Sequence, residues 1–379
     1  MLFKYFCLPL QGKVHTTIDM EGFKNIEIKN FRGIDHLKID DFSRVNVFLG
    51  QNGSGKTSIL ETLLMLAGMS NPELPQAINA IRSRGSFGKF LDVRYLFHNL
   101  VLLTPPEISS EQTDETKRHL TLRMPFAFDE QTQVTTPIGQ IQRSDAMVQI
   151  NQVEMDFEYS YGNVSNRHKS ILSFNQQGLP KERKIAEGYQ EKLFASLIPA
   201  SLSTANAISD LAELVKRKMK NIVIDRLLHF DDRITSVEVL SDGVFVGVEG
   251  VPELLPISMH GDGMFRYLTI VAASANPLNN ILLIDEIDNG LHYSAYKKLW
   301  EAIFALATTT NKQIFVTTHS KETLYKLNEM LEENPDYQKE LRLYTIEKTL
   351  KKGIQAYKYT YEGLSGACEN DIEIRSIAL

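Results

Sequence analysis

The sequence predicts an α/β protein: a mixed β-sheet built from two separated stretches of chain, with a β-rich and helical segment inserted between them. Three observations carry that expectation. Val45 to Leu49 is a short apolar run that enters a glycine-rich loop and then a helical stretch, Thr57 to Ala67. Ile281 to Ile284 and Ile314 to Thr317 are further short apolar runs, each followed by a helical stretch, the rhythm of parallel strands joined by helices. From Thr104 to about Lys181, prolines, serines and polar alternation replace that rhythm.

Taken in order, residues 1–19 read as an extension ahead of Met20 and are left out of the expected fold. Lys24 to Phe31 alternates apolar and polar residues, and Ile34, Leu37 and Ile39 continue the pattern, as strands of a sheet half open to water. Asn71 to Pro75 breaks the chain with Pro72 and Pro75, and a helical or mixed segment follows through Leu100. Leu120, Leu122 and Met124, then Met147 to Tyr161, are the alternating stretches of the insertion, read as lying outside the core. Glu182 to Phe230 reads as helical with a break at Pro199, without the sustained heptads of a coiled coil. Ile234 to Val248 reads as two strands turning at Ser241-Asp242-Gly243. Helix 262–275, strand 280–284, helix 293–307, strand 313–317, helix 320–333 and strand 341–346 complete the expectation. The expected divisions are the extension 1–19, an N-lobe 20–103, the insertion 104–205 and a C-lobe 206–379.

Composition narrows the function classes. Of 379 residues, 43% are hydrophobic and 23% charged, which excludes a collagenous, coiled-coil or wholly disordered chain. The net charge of −6 argues against a surface that coats nucleic acid as a whole. Cys7 and Cys368 are the only cysteines, so no disulfide framework or four-cysteine zinc site is possible. No apolar run approaches the roughly 20 residues of a membrane helix. A reducing, cytoplasmic compartment is expected.

Four motifs carry chemistry. Gly50-Gln51-Asn52-Gly53-Ser54-Gly55-Lys56-Thr57 fits G-x-x-x-x-G-K-[ST], the P-loop. Backbone N–H groups from Asn52 to Ser58 would close around phosphate at the positive end of the following helix. Lys56 would neutralise β- and γ-phosphate charge, and Thr57 would offer its hydroxyl to Mg²⁺. Ile281 to Ile284 delivers Asp285 and Glu286, the first to hold the metal and the second to orient or deprotonate an attacking water. The strand ending Thr317-Thr318-His319-Ser320 places His319 as a γ-phosphate sensor. Ser258-Met259-His260-Gly261-Asp262-Gly263 opens a helix and forms a second candidate anion site, with Ser258, Gly261 and Gly263 as its donors. Two half-sites suggest one nucleotide clamped between two subunits. A guanine-reading N-K-x-D is lacking, since Asn311-Lys312-Gln313 is followed by Ile314.

Together and in this order, the P-loop, the G-D-G turn, I-D-E-I-D-N-G-L-H and T-T-H-S resemble the ABC/SMC-like ATPase heads of the P-loop NTPases. The resemblance is to the bacterial AAA-type ATPases related to the overcoming-lysogenisation-defect (OLD) family. Leu283 to Trp300 and Asn30 to Ile34 are especially similar; residues 22–100 and 210–350 are covered, and 104–205 are not. The resemblance implies ATP with Mg²⁺, and a homodimer with ATP sandwiched between subunits. In it Ser258, Gly261 and Gly263 would bind the γ-phosphate held by the other subunit, and Asp288 to His292 would cross the interface. Arg32 would approach the nucleotide. Gln76 is a Q-loop candidate only by its distance from the P-loop. OLD-type nucleases carry a Toprim domain with a D-x-D pair, and this sequence contains no D-x-D. An effector of nuclease or toxin type in anti-phage defence would then be a separate protein. The alternative is a DNA-binding repair clamp, drawing on Arg82, Arg84, Lys89, Arg94 and the run Lys216-Arg217-Lys218 with Lys220.

Overall fold

Five consecutive buried residues, Val45 to Leu49, leave no strand face for water, so this strand must sit inside a sheet covered on both sides. The computed structural model describes residues 20–82, 93–125, 152–175, 180–201, 204–240, 243–349 and 353–376. In chain order the first elements are β1 (Ile26–Phe31), β2 (Ile34–Ile39), β3 (Val45–Leu49), α1 (Lys56–Ala67) and α2 (Leu74–Arg82). Next come β4 (Glu107–Glu111), β5 (Lys117–Arg123), β6 (Gln152–Tyr161), β7 (Val164–Phe174), β8 (Pro180–Lys184) and β9 (Ala195–Ile198). They are followed by α3 (Thr204–Lys216), α4 (Lys220–Phe230), β10 (Ile234–Leu240), β11 (Gly243–Val248), β12 (Leu255–Pro256) and α5 (Asp262–Ala275). The last are β13 (Ile281–Ile284), α6 (Tyr296–Thr309), β14 (Gln313–Thr318), α7 (Lys321–Glu333), β15 (Leu341–Thr349), β16 (Gly353–Tyr359) and α8 (Tyr361–Glu369).

The central sheet has six strands in the order β16-β15-β3-β14-β13-β9. All its pairs are parallel except β15 with β16, so the sheet is mixed as expected. Alternate residues of its strands enter two different cores. Val45, Val47, Leu282, Ile284, Ile314 and Val316 face helices α3 to α7, whereas Phe48, Leu283 and Phe315 face α1 and a second sheet. That second sheet is antiparallel, seven strands in the order β2-β1-β4-β5-β6-β7-β8. Helix α1 therefore lies between two sheets, which explains why ten of its twelve residues are buried.

The expectation that the alternating stretches of 104–205 lie outside the core is corrected by the structure. Strands β4 to β8 continue the sheet begun by β1 and β2, and Ile108, Leu120, Leu122, Met155 and Phe157 pack in one core with Ile59, Leu60 and Leu63. The polar alternation of β4 to β7 is that of a sheet with one dry face, not of a piece outside the core. The helical reading from Glu182 is also corrected, because β8 and β9 are strands and the first helix begins at Thr204. The apolar Ala195–Ile198 is stopped by Pro199 and pairs in parallel with β13. Residues 1–19, and the stretch from Ser83 that includes Arg84 and Lys89, lie outside the described residues. The turn residues Ser241 and Asp242 do too, although β10 and β11 pair across them as a hairpin.

Trp300, the single tryptophan of the chain, is wholly buried on α6 and donates its Nε1–H to Thr323 O at 3.1 Å. Trp300→Ala should cost about 3–5 kcal/mol, read as a lower urea midpoint by far-UV circular dichroism; Trp300→Phe should cost far less. Lys312 is buried just before β14, donating to the carbonyls of Asn276 and Asn279, and burial pushes its ammonium down to about 8. Between about pH 8 and the ordinary value of 10.5, the unfolded chain holds a proton there that the folded chain has shed. Stability from this group should rise with pH across that window. Replacing Lys312 by Met should remove the rise, as read from urea midpoints at several pH values.

Candidate nucleotide-binding site

The loop between β3 and α1 is shaped by glycine. Gly50 has φ of +146°, and a Cβ there would stand 2.4 Å from Ile346 O and 2.7 Å from Ser54 Oγ. No larger residue fits the first position of the loop. Helix α1 opens at Gly55 without any side-chain cap, leaving its first-turn N–H groups to the loop. Ser54 Oγ is buried within this turn and has no hydrogen-bond partner. Lys56 folds back and donates from Nζ to Gly50 O at 2.7 Å and Gln51 O at 2.9 Å. Burial lowers its pKa, while Asp285, Glu286 and Asp288 act in the opposite sense and favour the ammonium.

Parallel pairing of β13 with β14 brings the acidic pair to this loop. Thr57 Oγ1 donates to Asp285, 2.9 Å from Oδ1 and 3.1 Å from Oδ2, although the two residues are 228 apart in sequence. Thr317 Oγ1 donates to Asp285 Oδ1 at 2.7 Å and accepts the N–H of Glu286 at 2.8 Å. The Asp285 N–H donates to Ile198 O on β9, at 2.9 Å. Glu286 has φ of +49°, an unusual conformation for a residue with a side chain. Thr318 Oγ1 donates to Asp288 Oδ1 at 2.5 Å. His319 follows β14 directly and is exposed, and Ser320 caps α7 by accepting the N–H of Thr323. Lys56, Thr57, Asp285 and Glu286 therefore share one site at the carboxyl ends of parallel strands.

The family model described as "AAA ATPase domain" matches residues 23–242 and 180–324, most of the chain. The chain belongs to the AAA ATPase domain family. Among curated relatives, an "ATP/GTP phosphatase" of Helicobacter pylori is 26% identical over 348 residues, covering 86% of this chain and 92% of that protein. The DNA replication and repair protein RecF of Lactococcus lactis is 54% identical over 44 residues, 12% of each chain. Solved structures with some likeness include an Smc head domain with an extended coiled coil, bound to the C-terminal domain of ScpA, from Pyrococcus furiosus. Its TM-score is 0.47 at 11% identity, covering 93% of this chain and all of that one. The SMC head domain from Thermotoga maritima has a TM-score of 0.42 at 10% identity, covering 89% and 98%.

Other residues singled out in the sequence of this AAA ATPase domain make contacts of their own. Ser258 lies in a single 3₁₀ turn, and Gly261 and Gly263 flank the start of α5. A Cβ at Gly263 would come within 2.9 Å of Gly290 O, so this turn rests on the segment after Glu286. Arg32, expected to approach the nucleotide, pairs with the second turn of α1: Nε reaches Glu61 Oε2 at 2.7 Å, and Nη2 reaches Asn79 Oδ1 at 2.9 Å. Glu61, a carboxylate 2% exposed on α1, also takes Arg82 at 2.6 Å. Ser58 Oγ accepts a bond from Arg82, and Gln76 lies within α2. Thr317 and Arg266 were not singled out. The hydroxyl next to the conspicuous His319 motif was a readable signal for Thr317; nothing in the α5 sequence marks Arg266.

Thr317→Val leaves Asp285 and the Glu286 N–H each short of one buried hydrogen bond. The expected loss of stability is about 1–3 kcal/mol, largely restored in Thr317→Ser, with chemical denaturation as the check.

Proposed function

We propose that this chain is a Mg²⁺-dependent ATPase whose ATP-bound form is a homodimer. The observation that carries the proposal is the meeting of Lys56, Thr57 and Asp285 around a loop with an orphaned buried hydroxyl at Ser54. Lys56 sits on loop carbonyls rather than in an ion pair with a carboxylate, so turning it to a phosphate breaks only bonds to Gly50 and Gln51. No cluster of three or more His, Cys, Asp or Glu among the described residues could hold a metal alone. Thr57 and Asp285 would hold Mg²⁺ together with phosphate oxygens, and the ion would supply charge neutralisation on the phosphates. Glu286 would take a proton from the attacking water, and His319 would donate to the γ-phosphate. The phosphatase name of the Helicobacter pylori relative supports hydrolysis as the reaction.

The G-D-G turn supports the dimer. Ser258 and Gly261 are exposed, and no hydrogen bond among the described residues ties them to the loop of their own chain. In a second copy they would read the γ-phosphate held at Lys56. The output we propose is ATP-timed control of a separate effector protein of nuclease or toxin type, in anti-phage defence and in the cytoplasm. The motif resemblance supports that role. Among the described residues, no helix is long and apolar enough to cross a membrane.

The repair-clamp reading draws on the short RecF match. Among the described cations of that reading, Arg82 pairs with Glu61, Lys216 and Arg217 with Glu213, and Lys220 with Glu238. On the outer face of the seven-stranded sheet, Lys29, Arg123, Arg167 and Lys169 likewise alternate with Glu27, Asp156, Glu158 and Glu154. A controller of a protein effector is therefore the better-supported reading.

Glu286→Gln should retain ATP and double the mass seen by light scattering, whereas Lys56→Ala should lose ATP binding and stay monomeric. A mass independent of ATP in the Glu286→Gln protein would remove the clamp. ATP-dependent, salt-sensitive DNA capture with no protein partner would move the assignment to repair.

A further inference from the structure

Helix α5 carries an arginine that the mechanism above leaves unused. Arg266 is wholly buried, and its guanidinium donates to main-chain carbonyls. Nη1 donates to Pro199 O at 2.6 Å, and Nη2 donates to Asp285 O at 2.5 Å and Glu286 O at 3.1 Å. Its Nε is buried without a partner. Burial pushes the guanidinium down to about 10, so it keeps its charge at neutral pH, favoured by the fields of Asp285, Asp288 and Glu286. A buried charge held by carbonyls instead of a carboxylate costs stability that an apolar residue on α5 would not.

What the arrangement fixes is the backbone around Glu286. The N–H of Glu286 is held by Thr317 Oγ1, and the carbonyls of Asp285 and Glu286 are held by Arg266. This clamp closes on the one residue of the acidic pair that has positive φ. The same helix begins at the G-D-G turn, where Gly263 lies tight against Gly290, four residues beyond Glu286. Helix α5 thus touches the acidic segment at two places, once through Arg266 and once through its first turn.

We propose that Arg266 is a positioning residue for Glu286, coupling the setting of that carboxylate to the position of the Ser258–Gly263 turn. If the turn reads a nucleotide held by a second copy, docking of the copy reaches Glu286 through α5 and Arg266. The inference rests on the ATPase dimer proposed above and adds the link between its two halves.

The test compares Arg266→Lys with wild type for kcat, ATP affinity (a fluorescent ATP analogue) and thermal midpoint. Lysine keeps the charge but lacks the planar fork that spans Pro199, Asp285 and Glu286. The expected result is a loss in kcat of about 10-fold or more with ATP affinity changed by less than about 2-fold. In a Glu286→Gln background the same substitution should cause no further loss in the residual rate, because both act through one carboxylate. An unchanged kcat, an equal loss of affinity, or losses that multiply in the double variant would overturn the proposal. If Arg266→Lys does not fold, amide exchange at residues 285–289 replaces it, with Ser258→Arg as the variant that blocks the turn. ATP should change exchange there in wild type and not in Ser258→Arg; an equal change in both would overturn the coupling. Turnover lost in Lys56→Ala but intact in a folded Arg266→Lys protein would sink this inference alone. Absence of turnover in wild type would sink the ATPase reading beneath it.

Discussion

A buried carboxylate must be satisfied by hydrogen bonds or carry a large desolvation cost, and at this site that carboxylate is Asp285, only 7% exposed. Two threonine hydroxyls meet the requirement, Thr57 from the first turn of α1 and Thr317 from β14. Each comes from a different element, so satisfying Asp285 fixes how the loop, the helix and two central strands stand to one another. Burial lowers the pKa of Lys56, and the fields of three carboxylates, Asp285, Glu286 and Asp288, oppose that and favour its ammonium. The site is a consequence of one polar group that cannot be left alone in the interior.

The surrounding layers serve the same end. Helix α1 can be almost entirely buried because apolar surface meets it from both sides: Phe48, Leu283 and Phe315 on the parallel sheet, Ile28, Leu120 and Met155 on the antiparallel one. The antiparallel sheet needs a wet face, and its outer side carries interleaved cations and carboxylates that largely neutralise each other. On its dry side it stabilises the helix that holds the phosphate loop. The opposite face of the parallel sheet is covered by α3 to α7, which brings α5 behind the acidic segment and lets Arg266 reach its carbonyls.

Much of this was legible in the residues themselves. The glycine spacing from Gly50 to Gly55 defines a turn that tolerates little else, and Val45 to Leu49, Ile281 to Ile284 and Ile314 to Thr318 are apolar enough to be strands buried on both faces. The union of Thr57 with Asp285 followed from motif order, because parallel strands present their carboxyl ends together. These are properties of short segments, decided by backbone freedom and by apolar surface that has nowhere else to go.

Other features depended on partners far away in sequence. Polar alternation in β4 to β7 says that one face is dry but not what dries it, and only packing against α1 decides that the segment joins the core. Arg32 carries the same charge whether it faces a phosphate or Glu61; the buried carboxylate on α1 takes it. Arg266 looks like any arginine of an amphipathic helix, and its task appears once Pro199, Asp285 and Glu286 turn their carbonyls toward it. The sequence alone determined the phosphate loop, the acidic pair and the strands that carry them, since these rest on local geometry. The tertiary structure decided which charges meet and which sheet shelters the helix, because a hydrogen bond or an ion pair is specified by both partners and a sequence segment shows only one.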